Sequence, residues 1–225
     1  MCGRYGGPKD QAVYAGYLPV NNPFQDIDLK GEYSIGHKAP VFARSRSGTV
    51  VAQEMRFGLI PSTFNGAIRD WGYSTWNARL ETVGRNQSFA TAWNKGRRAI
   101  VPAPWVAEYL HVIDAPTGRL QADFCRADDK PMGLAAVWDY AQTADGPLLS
   151  FALITRQPGL KMMKYHPREI CVVEPEDWNG YLHGEPGIDL ARPWADDAWM
   201  MVLPLASQKR MAQAPHDLFG PSTAA

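Results

Sequence analysis

Short apolar runs of strand length are the feature that most constrains the fold of this chain. They recur along the sequence and are separated by glycine, proline and aspartate, which is typical of strands joined by turns. Six of them are predicted as strands: Val50–Leu59, Ala99–Leu110, Leu120–Arg126, Gly133–Tyr140, Leu148–Thr155 and Glu169–Val173. Helical patterns are fewer and shorter: Asp10–Leu18, Gln87–Lys95 with Gly96 as its C-terminal stop, Gly159–Tyr165, and a helix that starts near Pro175.

The strands outnumber the helices and do not alternate with them, which favours the α+β class. We expect a curved, mainly antiparallel and barrel-like sheet system with flanking short helices. The chain has 225 residues, of which 45% are hydrophobic, and this suits one core. No linker or repeat interrupts the sequence, so a single domain is predicted over residues 1–225, with a mobile tail after about residue 215.

Several classes of protein lose support from features that the sequence lacks. No apolar run approaches the ~20 residues of a membrane helix, and no apolar segment of a secretory signal follows the first residues. The cysteines Cys2, Cys125 and Cys171 include no CxxC pair, so we expect a cytoplasmic protein without a metal site or cofactor. Walker, GxGxxG, HExxH and GxSxG motifs are missing, which disfavours nucleotide hydrolysis, dinucleotide chemistry and the common hydrolases.

The formal net charge of zero hides an uneven distribution. Residues 1–112 hold 13 basic and 8 acidic side chains, whereas residues 174–197 hold 1 basic and 7 acidic. The local field decides whether a polyanion is attracted, so the basic first half is compatible with a nucleic-acid partner. The alternative is an ordinary solvated surface of mixed charge. We expect the acidic segment 174–197 to lie outside any DNA groove.

Cys2 is the first candidate for chemistry. Initiator methionine is normally removed before a small residue, which would leave an α-amine and a thiol on adjacent carbons. The α-amine has a pKa of about 7.7–8.0 against about 10.4 for lysine, so it is a far better nucleophile near neutrality. It attacks an aldehyde to give a Schiff base, and the thiol then closes a thiazolidine ring. The same residue would also serve as an N-terminal nucleophile in acyl transfer, or it is incidental.

Glu108 and His166 are candidates for proton transfer. Glu108 shares a strand face with Val106 and Leu110, and an apolar setting raises the pKa of a carboxyl towards the range of a general acid/base. Pro167 holds His166 in an extended conformation beyond the preceding helix, where it would shuttle protons. The alternatives are a strand-edge glutamate facing water and a surface or capping histidine.

Asn77 and Arg79 form a further candidate pair. Asn77 offers a hydrogen-bond donor and an acceptor, and Arg79 offers a planar fork for phosphate or carboxylate. The alternative is a turn followed by a short helix with Asn77 as its N-cap.

Five short motifs, in order along residues 1–173, resemble the SOS-response-associated peptidase family. They are Met1-Cys-Gly-Arg-Tyr5, Asn77-Ala-Arg-Leu-Glu-Thr82, Trp93-Asn-Lys-Gly-Arg-Arg-Ala-Ile100, Pro102-Ala103 with Glu108-Tyr109, and Thr155 with His166-Pro-Arg168. The resemblance is weaker at Trp105-Val-Ala-Glu-Tyr109, Tyr33-Ser-Ile-Gly-His37 and Pro61-Ser-Thr-Phe64, and beyond Trp178. These departures concern the grip on DNA and the substrate preference more than the covalent chemistry.

The resemblance implies a sensor of abasic sites in single-stranded DNA that forms a thiazolidine crosslink through Cys2. It assigns positioning of Cys2 to Asn77, acid/base catalysis to Glu108 and proton transfer to His166. Arg4, Arg79 and Arg168 would face DNA phosphates, and Phe64 would stack on a base. We expect a monomer that meets DNA in the cytoplasm, protects the lesion during the DNA damage response, and has a possible lyase activity.

Two other functions remain open from the residues. The same pocket would suit a cysteine peptidase or amidase with an N-terminal nucleophile. The chain would otherwise be a divergent DNA-binding module without catalysis, and retention of Met1 would favour that reading.

Overall fold

The fold is taken from a computed structural model, and the structure describes residues 2–9, 13–14, 16–20, 27–111 and 120–204. Thirteen strands lie in these ranges. In chain order they are β1 Arg4–Gly6, β2 Glu32–Ser34, β3 Lys38–Arg44, β4 Val50–Phe57, β5 Asn77–Arg79, β6 Arg98–Pro102, β7 Val106–Tyr109, β8 Gln121–Arg126, β9 Gly133–Thr143, β10 Gly146–Arg156, β11 Glu169–Ile170, β12 Val172–Val173 and β13 Trp199–Val202.

Five of these strands close into a barrel. The order is β10-β4-β3-β6-β9, and the ring closes because β9 pairs with both β6 and β10. The short strands β5 and β11 add to β10, and β12 adds to β9. Pairing is antiparallel except where β10 meets β4 and β5. The predicted α+β class with a mainly antiparallel, barrel-like sheet is confirmed.

A second sheet carries the N-terminal strand. Its order is β13-β8-β7-β1-β2, and every pair in it is antiparallel. The register places Arg4 opposite Ala107, so the first residues of the chain lie beside β7. This pairing brings Cys2 and Glu108 together although 106 positions separate them in sequence.

The helices are short, and the last of them packs against barrel strands β3 and β6. They are α1 Ala90–Asn94, α2 Leu160–Met163 and α3 Trp178–His183, with single 3-10 turns at Ile68–Asp70 and Pro175–Asp177. Gly96 has φ of +67°, as expected of a residue that ends a helix. Three of the four predicted helices are confirmed within a few residues. The fourth, Asp10–Leu18, lies partly outside the described residues. No described helix is both long and apolar enough to span a membrane.

Side chains of the barrel strands fill two apolar clusters, one on each face of the sheet. Val41 packs in the first cluster with Cys2, and its neighbour Phe42 packs in the second with Trp178. The rings of Phe57 and Phe151 stack in the first cluster with centroids 5.2 Å apart. Strands buried on both faces read as continuous apolar runs, which explains why the sequence signal for the barrel is strong.

Two of the predicted strands are each divided in the structure. Ala99–Leu110 was expected as one strand, and this is wrong: β6 belongs to the barrel and β7 to the second sheet. Pro104 lies between them and lacks the N–H that a continuous ladder needs. Glu169–Val173 likewise forms β11 and β12, which pair with different strands on either side of Cys171. Cys171 is buried, whereas Cys125 is only half-buried.

Candidate active site

Cys2 lies at the junction of the two sheets, where the chain enters β1. The residue is fully buried, and its carbonyl accepts a hydrogen bond of 2.8 Å from Nδ2 of Asn77. Asn77 is itself buried in β5, which runs parallel to β10 in the barrel. The alternative of Asn77 as a helix N-cap is therefore wrong. Asn77 fixes the backbone of Cys2 from the barrel side of the site.

The thiol of Cys2 is a poor nucleophile in the resting chain. Burial raises its pKa, and the negative charge of Glu108 raises it further. Sγ lies 3.2 Å from the carbonyl oxygen of Arg4, which accepts a hydrogen bond from the thiol. The Cys2 thiol is therefore protonated at neutral pH. Since the thiolate is the reactive species of cysteine, the resting chain holds little of the nucleophilic form.

Glu108 lies beside Cys2 on β7. It is 3% exposed, and Val106 and Leu110 on the same strand face are also buried, as the alternation of the sequence predicted. Burial raises the pKa of Glu108 to about 7, although a hydrogen bond from the backbone of Cys2 acts in the opposite direction. A carboxyl that is half protonated near neutrality both gives and takes protons, which is the requirement for a general acid/base.

His166 completes the group. Its Nε2 lies 3.6 Å from Oε2 of Glu108, and its Nδ1 lies 2.7 Å from the carbonyl oxygen of Arg168, to which the Nδ1–H tautomer donates. Burial lowers the pKa of His166 to about 4, so the ring is neutral at neutral pH. The contact with Glu108 is therefore a contact between a carboxyl and a neutral imidazole, and it is not a standing ion pair.

A cleft of about 530 Å³ lies beside this group, and His166 is the member of the group that lines it. Its walls include Gly3, Arg4, Trp76, His111 and His166. None of the residues that line it comes from the acidic segment 174–197, in agreement with the expectation from the charge distribution.

His111 is a member of the site that the sequence did not reveal. Its ring stands perpendicular to that of His166, with centroids 4.9 Å apart, and its backbone N–H donates to the carbonyl of Tyr165 at 2.7 Å. The only sequence signal that could have pointed to His111 is its position three residues after Glu108. In a strand, residues three apart lie on opposite faces, so this spacing did not predict that the two side chains meet. His111 comes to the site only because β7 ends before it.

Within the described ranges, no group of three or more His, Cys, Asp and Glu side chains has the arrangement to hold a metal ion.

Comparison with known proteins identifies the family. Residues 1–206 match the model of the SOS response associated peptidase (SRAP) family. The chain belongs to the SRAP family. The motifs that contain Cys2, Asn77, Glu108 and His166 are scattered along the sequence, and the fold brings these four residues into one buried group beside the cleft.

A curated relative and several solved structures extend this comparison. The abasic site processing protein of Saccharomyces cerevisiae is 26% identical over 211 residues, which cover 81% of this chain and 55% of the yeast protein. The chain therefore spans about half the length of that relative. Crystal structures of a protein from Bordetella bronchiseptica and one from Bacteroides thetaiotaomicron superpose with TM-scores of 0.75 and 0.72 at 21% and 20% identity. The former covers 90% of this chain and 99% of its own, and the latter 92% and 94%, so the fold is shared almost end to end.

The three arginines expected to face DNA differ in their surroundings. Arg79 is exposed and forms no ion pair with another described residue. Arg4 lines the cleft but is engaged by Glu32 at 2.8 Å and Gln121 at 3.0 Å. Of the three, Arg79 has the guanidinium most accessible to a phosphate.

Arg168 is held inside this SRAP domain. It is 8% exposed and forms a bidentate pair with Glu81 at 2.9 and 2.8 Å, while its guanidinium also donates to the carbonyl of Thr155 at 2.7 Å. Its backbone also holds the ring of His166. This geometry makes Arg168 a positioning residue for His166, and its contact with DNA phosphate stays a prediction.

Phe64 belongs to a larger aromatic cluster than the sequence indicated. Its ring meets that of Trp71 edge to face at 5.0 Å, and Trp71 lies 4.9 Å from Tyr73. Tyr73 is 70% exposed and stands three residues before Trp76, which lines the cleft. Stacking on bases was predicted for Phe64 alone, but the exposed face of the cluster is that of Tyr73.

Proposed function

We propose that this SRAP domain processes abasic sites in single-stranded DNA by forming a covalent thiazolidine through Cys2 after removal of Met1. One observation carries the proposal: the backbone nitrogen of Cys2 is hydrogen-bonded to a buried carboxyl, Glu108, whose pKa is about 7. When Met1 is removed, that nitrogen becomes the α-amine. The yeast relative, an abasic site processing protein, supports the same substrate class.

The amine is the first nucleophile in this mechanism. An abasic sugar in its open form presents an aldehyde, and the neutral amine of Cys2 adds to it and loses water to give a Schiff base. Glu108 accepts a proton from the attacking amine in its carboxylate form. It then returns a proton to the departing hydroxyl in its acid form. A pKa near 7 keeps both forms populated at neutral pH.

The thiol acts second. Sγ adds to the carbon of the Schiff base, the thiol proton passes to the former imine nitrogen, and a five-membered ring closes. Since burial and Glu108 keep the Cys2 thiol protonated at rest, the thiol does not compete as a free thiolate before the aldehyde arrives. The ring closure needs the thiol within reach of the new carbon, and the hydrogen bond from Asn77 to the Cys2 carbonyl holds the residue in place.

His166 is placed to exchange protons with Glu108 across 3.6 Å. Its neutral ring accepts a proton from the acid form and returns it later, so Glu108 is reset between the two steps. The same exchange run backwards would assist opening of the ring, which makes His166 the residue to examine for reversal of the crosslink.

DNA would enter over the basic rim of the cleft. Arg79 offers a free guanidinium to a phosphate, and the cluster of Phe64, Trp71 and Tyr73 offers a face for base stacking. An unpaired strand is favoured because its bases are free to stack on protein rings, whereas those of a duplex stack on one another.

The experiment uses the full chain, with loss of Met1 checked by intact mass, and a single-stranded oligonucleotide that carries one abasic site. A band that survives denaturation is expected for the wild type and is not expected for Cys2→Ala, which keeps the α-amine but has no thiol. Borohydride reduction should restore a crosslink to Cys2→Ala by trapping its Schiff base. A stable crosslink of Cys2→Ala without reductant would contradict the proposal.

The peptidase alternative receives less support from the geometry. An N-terminal cysteine nucleophile needs its thiol activated, whereas burial raises the pKa of the Cys2 thiol. Turnover of peptide substrates in trans, abolished in Cys2→Ala, would nevertheless establish that function. A purified chain that retains Met1 and forms no crosslink would point instead to a binding module.

A further inference from the structure

A second cavity, of about 400 Å³, lies at the Arg44 end of β3 and shares no lining residue with the Cys2 cleft. We call it the β3 cavity. Its polar wall is built from the β3–β4 turn and from the turn after α1. Its most prominent side chains are Arg44, Arg46, Lys95, Arg97, Trp138 and Tyr140.

The β3 cavity concentrates positive charge. No acidic residue lines it, and Arg97 alone of its four cations has an acidic partner among the described residues, which is Asp139. The charge of Arg46 is close enough to Arg97 to lower the pKa of that guanidinium, in addition to the larger effect of burial. Cations gathered in this way repel one another, and an anion between them would relieve the repulsion.

Aromatic rings flank these cations. The guanidinium of Arg97 lies over the ring of Trp138 at 5.4 Å from its centroid, and Tyr140 is 38% exposed at the mouth of the β3 cavity. A basic groove with accessible aromatic rings is the usual arrangement for a single nucleic-acid strand, because phosphates meet the cations and bases stack on the rings.

We propose that the β3 cavity is a second subsite for single-stranded nucleic acid, which takes phosphates and a stacked base of a strand outside the Cys2 cleft. This inference rests on the proposed function. The site is continued by a cavity of about 260 Å³ that shares Tyr140 and Leu149 with it and is also lined by Lys38, Arg56 and Glu54.

The length of β3 sets the length of strand required. Six residue steps from Lys38 to Arg44 span about 20 Å at ~3.3 Å per residue. At ~3.4 Å per phosphate of one B-form strand, this distance corresponds to about six nucleotides. A short oligonucleotide that fills only the Cys2 cleft therefore leaves the β3 cavity empty, whereas a longer one reaches both.

The test compares the wild-type full chain with the double variant Arg46→Gln/Lys95→Gln. Both side chains are exposed, so the variant is expected to fold. Unmodified single strands of about six and about 20 nucleotides are titrated at several salt concentrations, since one OB-fold-sized site takes ~4–16 nucleotides. For the long strand, the slope of log K against log salt should fall by about 1.4, or ~0.7 for each lost phosphate contact. The slope for the short strand should fall by less, because about six nucleotides do not reach the Cys2 cleft and the β3 cavity at once.

Arg192→Gln is the matched control, because Arg192 is exposed and lines neither cavity. An equal change in slope for Arg192→Gln, or an unchanged slope for the double variant, would overturn the subsite. Tyr140→Ala should weaken the long strand by roughly fivefold or more, as expected for a lost base stack, and an unchanged affinity would count against stacking there.

A nucleoside monophosphate supplies the other source of the same chemistry. If the double variant loses binding of the mononucleotide but keeps the salt slope of the long strand, the β3 cavity is a mononucleotide site and the strand subsite is wrong. Failure of the proposed function looks different: a short abasic oligonucleotide would then form no crosslink with the wild-type chain, whatever the long strand shows.

Discussion

At the scale of single residues, the site depends on groups whose protonation states are set by burial. Cys2, Asn77, Glu108 and His166 were predicted from the sequence, and the structure brings all four into one buried group, of which His166 lines the cleft. These four residues could be predicted because each lies in a short motif that resembles a motif of the family. His111 could not be predicted in this way, since its nearness to His166 arises from the turn of the chain after β7.

The opposite pKa shifts of Glu108 and His166 predict how stability depends on pH. Burial raises the pKa of Glu108 from 4.5 to about 7, so its stabilising contribution is complete below pH 4.5 and is lost as pH rises to about 7. Burial lowers the pKa of His166 from 6.5 to about 4, so its contribution is present above pH 6.5 and is lost as pH falls to about 4. Between pH 4.5 and 6.5 the two effects oppose each other.

Single variants should separate these effects. Glu108→Gln removes the first contribution, so its free energy of unfolding should increase between pH 4.5 and 6.5 by on the order of 3 kcal/mol, at ~1.4 kcal/mol per pH unit. His166→Gln should show the reverse trend, and the wild type should change little. Urea titrations at several pH values measure this. Three parallel pH profiles would show that the two groups are not buried as described.

At the scale of elements, four of the five barrel strands lie in the predicted apolar runs, whereas β3 and three strands of the second sheet, β1, β2 and β13, were missed. β4, β9 and β10 are long and buried on at least one face, so their apolar composition predicts them as strands. β1 and β2 have three residues each, and their pairing with β7 and with each other comes from tertiary contacts. Sequence alone therefore predicted most of the barrel but not β1, which begins two residues after Cys2.

The entry of the chain into the site depends on Gly7, which directly follows β1. Its N–H donates to the carbonyl of Gly31 at 3.0 Å, and a Cβ at Gly7 would lie 1.9 Å from the carbonyl oxygen of Lys30. The methyl group added in Gly7→Ala would clash with this backbone oxygen, so the backbone at Gly7 or Lys30 has to shift. We therefore expect a loss of about 1–3 kcal/mol or more in the free energy of unfolding. Denaturant titration measures this loss.

Gly31→Ala is the control for that variant, because Gly31 faces Gly7 across the hydrogen bond but has open space around its Cα. Its effect should stay within about 0.5 kcal/mol, as is usual for an exposed substitution. Equal losses for the two variants would show that the close approach at Gly7 does not limit the packing of β1.

At the scale of the whole molecule, opposite charges are kept apart. The basic first half supplies Arg4, which lines the cleft, and the exposed Arg79. Acidic side chains of segment 174–197 pair with cations elsewhere, as Glu174 does with Arg126 and Glu176 with Lys130. The net charge of zero therefore says little about the field over the cleft. This separation could be read from the sequence, because the basic and acidic residues occupy different segments.

The separation predicts which charges affect DNA binding. Glu185 and Asp197 are exposed and line neither the cleft nor the β3 cavity. Screening limits the reach of exposed charges to about 8 Å at 0.15 M salt, so Glu185→Gln/Asp197→Asn should change the affinity for single-stranded DNA by less than about twofold.

Arg79→Gln should weaken the affinity for single-stranded DNA and reduce the salt slope by about 0.7, as one lost phosphate contact requires. Fluorescence anisotropy with an unmodified oligonucleotide measures both. If neutralising the acidic pair strengthens binding as much as Arg79→Gln weakens it, the acidic segment borders the DNA path.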